Sequence, residues 1–141
     1  MTLLTQGVPG VTAAEPQTYE AFWPYYVSQH LHRTTRLIHV IGTLAGLWCA
    51  AMALVLRRPT LVVGAPLLGY GPAWYSHFRI ERNRPASFGH PLWSARADFR
   101  LLSRYIRGTL EGDVTTVRGA LGMGPTQLTL ADRTDPSDAA A

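Results

Sequence analysis

The chain has 141 residues, a formal net charge of +4, one cysteine and a mean hydropathy of +0.02. That length holds one domain at most, and the single cysteine, Cys49, excludes an intramolecular disulfide framework. All thirteen basic residues are arginine. They are not interleaved with aromatic residues in the manner of a nucleic-acid module, and they gather beside apolar segments, so the expected partner is anionic membrane lipid and not nucleic acid.

Residues 1–17 carry Gly7, Pro9, Gly10 and Pro16, with no basic residue ahead of their short apolar patch. They read as a mobile, disordered N-terminal stretch rather than a signal peptide. From Thr18 to His32 the chain turns aromatic, with Tyr19, Phe22, Trp23 and Tyr26 at i, i+3, i+4 and i+7 on one helical face. Trp and Tyr favour the head-group region of a bilayer, so this helix is expected at the interface, with a break or a start at Pro24.

Two uncharged runs follow, residues 37–56 and 59–78, separated only by Arg57 and Arg58. A run of about 20 apolar residues matches the hydrocarbon thickness of a bilayer, and the near-zero mean hydropathy conceals it. The expected unit is an antiparallel, membrane-embedded helical hairpin about the arginine pair. Pro59, Pro66 and Pro72, with Gly64, Gly69 and Gly71, load the second run, which predicts kinks and leaves a re-entrant path open. Arg33, Arg36, Arg79, Arg82 and Arg84 flank the open end against two arginines at the tip. Both termini are therefore expected in the cytoplasm, in a multi-pass protein of a bacterial inner membrane.

After a turn-rich linker, residues 92–106 repeat Phe99, Leu102 and Ile106 at helical spacing, with Arg96, Arg100, Arg104 and Arg107 as a basic stripe. This predicts a second amphipathic interfacial helix facing anionic lipid, or else a solvated charged face, ended by Gly108. The tail 111–141 reads as disordered. The fold class is thus all-α: a membrane-embedded hairpin with flanking interfacial helices, ordered over residues 18–110.

Five histidines are present: His30, His32, His39, His77 and His90. Folding the hairpin about the arginine pair brings His39 and His77 to nearly one depth, offset by about 1.5 Å of helix rise. No carboxylate occurs from Ala21 to Ile80, so Glu81 is the first near the open end. It lies at i+4 from His77, where it could ligate a metal or fix the tautomer of a ligating imidazole. On one straight helix His30 and His39 would stand on opposite faces, about 13.5 Å apart along the axis. Either the chain bends between them or His30 belongs to a separate helix. The alternative is a set of interfacial histidines bonded to carbonyls and lipid phosphates.

Three segments carry a resemblance: YYVSQHLHRTTRLIHVIGT from Tyr25, GYGPAWYSHFRIERNRPASF from Gly69, and PLWSARADFRL from Pro91. Together they resemble the 2-hydroxy fatty acid dioxygenases of fungal endoplasmic reticulum and their bacterial relatives, over roughly residues 19–110. The resemblance implies an Fe(II)-dependent dioxygenase that uses O₂ to shorten a 2-hydroxy fatty acid by one carbon in fatty acid α-oxidation. It assigns His30, His39 and His77 to the iron and Glu81 to the catalytic carboxylate. His32 stands where relatives often have Asn, and His90 reads as a turn residue. Arg33, Arg36 and Arg82 become candidates for the substrate carboxylate. Two other readings use the same residues: a non-enzymatic membrane hairpin that binds lipid or a partner, and a zinc-dependent lipid hydrolase.

Overall fold

The computed structural model describes residues 15–123. Over these residues the protein is all-helical: α1 (Tyr19–Ser28), α2 (Arg33–Val55), α3 (Leu61–Ser76), a π-helical turn (His77–Glu81), a 3₁₀ turn (Ala86–Phe88), α4 (Pro91–Ile106) and α5 (Leu110–Ala120). The expected disorder of residues 1–14 and 124–141 lies outside the described residues.

Helix α1 starts where Thr18 accepts a side-chain hydrogen bond from the Ala21 N–H, and it runs through Pro24. Its aromatic face is turned inward. Tyr19, Phe22, Trp23 and Tyr26 are all buried, packed with Ala97 and Leu101 of α4 and with Leu110, Val114 and Val117 of α5. The helical face was therefore legible, but a lipid interface is not what these rings meet. The tail also begins later than residue 111. Val114, Val117 and Arg118 recur at helical spacing and seal α5 against the core, as a short apolar stripe needs only one partner face.

Helices α2 and α3 lie side by side and antiparallel. A Cβ at Gly42 would sit 3.0 Å from the Gly69 carbonyl oxygen, and one at Gly46 would sit 3.0 Å from that of Ala65, so the two backbones meet where only glycine fits. Between them, Arg57 adopts the left-handed conformation (φ 52°) and closes α2 with hydrogen bonds from its own N–H to Leu54 O and from the Arg58 N–H to Ala53 O. The second apolar run is thus divided into a turn, a 16-residue α3 and a π-helical turn. Only α2, among the described residues, is long and apolar enough to cross a membrane by length and composition.

The core sits at one end. Helices α1, α4 and α5 enclose the Val40 end of α2, while the far halves of α2 and α3 expose Trp48 (68%), Leu54 (81%), Val63 (64%) and Leu67 (69%). Helix α4 turns Leu92, Phe99 and Ile106 outward, a stripe of three residues at intervals of seven, opposite its buried Ala97 and Leu101. Its arginines do not form a free basic face. The Arg96 guanidinium lies 3.9 Å from the Tyr19 ring centroid, Arg100 lies 4.4 Å from that of Trp23, and Arg104 pairs with Asp113. The stripe expected on lipid is largely spent on aromatic and acidic neighbours of the same chain.

Candidate metal centre

Three helix ends deliver three histidines to one point. His30 lies in the bend between α1 and α2, His39 on the second turn of α2, and His77 opens the π-helical turn. The bend required between His30 and His39 is there: α1 ends at Ser28, and the imidazole centroids come within 4.3 Å of each other. His77 completes the group at 4.6 Å from His30 and 5.3 Å from His39, and all three are buried. One ring nitrogen from each falls within 4.8 Å of the others.

Each imidazole is held by its other nitrogen. His30 Nδ1 donates to the Tyr26 carbonyl at 2.5 Å; a carbonyl only accepts, so the proton sits on Nδ1 and Nε2 is left bare. His77 Nδ1 donates to Asn83 Oδ1 at 2.8 Å, and the orientation of that amide is fixed because Asn83 Nδ2 donates to Gln29 O at 3.0 Å. His39 Nδ1 faces Asp98 Oδ1 at 2.8 Å, and the same carboxylate oxygen accepts a short hydrogen bond from the Tyr26 hydroxyl. Two lone pairs, on His30 Nε2 and His39 Nε2, consequently face each other across 3.1 Å. That contact is repulsive unless a cation lies between them. Ligands about 2.1 Å from a metal and at right angles are about 3.0 Å apart, so the donor set fits a metal with room for further ligands. A space of about 10 Å³ lined by these histidines is large enough for an ion and little else.

Burial lowers the His30 pKa well below the usual imidazole value, and charge on neighbouring His39 and His77 lowers it further. The neutral, metal-binding form is thereby favoured at neutral pH. Tyr26 is shifted upward, first by burial and then by the Asp98 charge, so it stays a donor to that carboxylate.

Glu81 is placed elsewhere. Its carboxylate accepts the His32 backbone N–H at 2.8 Å, at the start of α2, and it is not part of the histidine group. The helix stops at Arg82, whose left-handed backbone (φ 55°) turns the chain back so that the Asn83 N–H reaches His77 O and its side chain takes the orienting position instead. Burial raises the Glu81 pKa, while the His32 N–H and the Arg36 charge oppose that. His32 caps α2 without ligating, and His90 stacks on Trp93 at the start of α4. Among the carboxylate candidates, Arg33 and Arg82 are exposed. Arg36 is buried and committed: it donates to His30 O, Leu31 O and both oxygens of Glu111.

Asp98 and Asn83 were not singled out from the sequence, and Tyr26 was read only as part of an interfacial aromatic face. The available signal was that Asp98 is the sole acid within an arginine-rich helix, and a ligating histidine normally has a carboxylate or carbonyl behind it.

No curated protein and no solved structure matches the chain. A family model described as 2-hydroxy-palmitic acid dioxygenase Mpo1-like matches residues 16–110, the stretch that supplies every residue of the histidine centre. On that match, together with three buried histidines arranged to hold a metal, the chain belongs to the Mpo1-like family of 2-hydroxy-palmitic acid dioxygenases.

Proposed function

We propose that this protein is an Fe(II)-dependent dioxygenase that shortens 2-hydroxy fatty acids by one carbon, working within a membrane. The observation that carries the reading is the pair of bare imidazole nitrogens 3.1 Å apart, with the third histidine beside them and all three rings anchored from behind. His30, His39 and His77 would hold the Fe(II), which when bound would supply the redox chemistry between O₂ and a 2-hydroxy carboxylate.

The chain's own residues do the rest. Tyr26 O, Asp98 and Asn83 hold the Nδ1 protons and so point the Nε2 lone pairs inward. Asp98 also makes His39 the most electron-rich of the three, because its partner is a full negative charge rather than a neutral acceptor. Burial of His30, His39 and His77 keeps bulk water from the centre. The exposed apolar side chains of α2, α3 and α4 are what a bilayer would cover, which brings the insoluble substrate to the site from the lipid side.

The test is metal analysis of anaerobically purified protein, followed by oxygen uptake with 2-hydroxypalmitate. The expected result is stoichiometric iron and substrate-dependent uptake, with both lost on changing His30, His39 or His77 to Ala. Stoichiometric zinc with no oxygen consumed would point to hydrolysis instead, and protein that binds no metal would leave a lipid-binding role.

A further inference from the structure

A groove of about 250 Å³ runs between α2, α3 and α4, and its polar end is lined by His39, one of the three histidines, with Tyr70 and Asp98. His39, Tyr70 and Asp98 also line the small space at the triad, so the two spaces adjoin across these three side chains. Away from that polar end the lining is apolar and mostly small. Gly46, Ala50 and Ala65 form a shallow floor where the helices touch, with Leu47, Pro66 and Phe99 along the sides.

We propose that this groove takes the acyl chain of the substrate, carboxyl end at the histidines, and sets chain-length preference; the proposal rests on the dioxygenase reading for the identity of the head. Two measures bracket the capacity. At roughly 27 Å³ per methylene at interior packing density, 250 Å³ holds about nine carbons of one chain. Along α2, the eleven steps from His39 to Ala50 rise about 16 Å, the reach of about twelve extended carbons. A sixteen-carbon acid would therefore keep more than half its length in the groove, with the rest in the bilayer. A two-tailed phospholipid would need twice the volume, and a tail pushed in methyl-first would bring an apolar end against Asp98 and His39. A single-chain acid satisfies both ends.

The experiment uses the full chain, iron-loaded, in phosphatidylcholine nanodiscs. Ala50 is exposed to the groove and touches no part of the centre, so Ala50→Trp narrows the far end. The variant should lose at least tenfold in kcat/KM for 2-hydroxypalmitate while matching the parent on 2-hydroxyoctanoate. Equal effects on both lengths, at full iron occupancy, would overturn the proposal. A second arm needs no turnover. Under anaerobic conditions, 2-hydroxypalmitate bearing a diazirine near carbon 10 should label Leu47, Ala50 or Pro66. Excess 2-hydroxypalmitate should chase that label and added phospholipid should not. Label confined to lipid-facing residues such as Leu54 and Val62 would also overturn it. Groove labelling without oxygen uptake from any 2-hydroxy acid would sink the dioxygenase reading and leave the groove standing.

Discussion

The proton on each Nδ1 decides what the centre can do, because it sets which nitrogen faces inward. Asp98 is the strongest of the three anchors, being charged and shared with the Tyr26 hydroxyl. Asp98→Asn keeps the shape but removes the charge and allows the amide to present its N–H₂ to His39, which would favour the wrong tautomer. The expected loss in iron affinity is about 10 to 100-fold, read by chelator competition, and Tyr26→Phe should cost less because His39 keeps its carboxylate. The second consequence concerns pH. His30 has a lowered pKa in the folded protein, so as pH falls below about 6.5 the unfolded chain takes up a proton that the folded chain resists. The metal-free protein should lose thermal stability from pH 7.5 to pH 5, and His30→Gln should flatten that slope; equal slopes would refute the assignment. His39 and His77 were legible from the sequence because the two apolar runs mirror each other about an arginine pair, which sets depth without knowledge of packing. Asp98 was not, because it reaches His39 from a different helix 59 residues away, and no local spacing encodes that contact.

At the scale of elements, the π-helical turn and the bend before α2 do the positioning. Glu81 ties one to the other through the His32 N–H, and Asn83 ties the turn to Gln29 at the end of α1. Glu81→Gln retains an acceptor oxygen for that N–H, so iron affinity should change less than about threefold, against the larger loss at Asp98. A loss as large as that of Asp98→Asn would restore Glu81 to the metal site. Arg36 acts on the same bend from the other side. In Arg36→Met the Leu31 carbonyl keeps Arg118 as a donor, but the His30 carbonyl is left bare in the interior, at a cost of roughly 1–3 kcal/mol. The melting temperature and iron occupancy should both fall with no fatty acid present. A substrate-carboxylate role predicts instead a raised KM with stability unchanged. Helices α1 and α4 were readable from 3.6-residue periodicity and α2 and α3 from their uncharged runs, as was the stop at Gly108, whose φ is 68°, whereas α5 fell in a stretch read as disordered. The partners of the helices were not readable. An aromatic face and an arginine stripe each look interfacial in isolation, yet here Arg96 and Arg100 stack on Tyr19 and Trp23, and both faces are consumed by the contact.

For the whole molecule, the division is between a helical core around the histidines and a paired extension, α2 with α3, whose outer surface is apolar. In water such an extension would expose large apolar side chains along both helices, among them Trp48, Leu54, Val63 and Leu67, whereas a bilayer would remove that cost and leave the polar centre near one surface. The core should then lie at the side where Arg33, Arg79, Arg82 and Arg84 are exposed, with Arg57 and Arg58 at the opposite tip. The excess of arginine at the core end favours the cytoplasm for it. Single cysteines at Thr60 and Arg107, both exposed, report the two ends once Cys49 is changed to Ser, which retains the hydrogen bond to Leu61 O. An impermeant maleimide added to intact cells should modify the Thr60→Cys protein and spare Arg107→Cys, with both modified after lysis. Protection of both in intact cells would mean that α2 and α3 enter and return on one side, as the 16-residue length of α3 permits. Modification of Arg107→Cys alone from outside would invert the orientation, and with it the side from which the hydroxy acid must reach the iron.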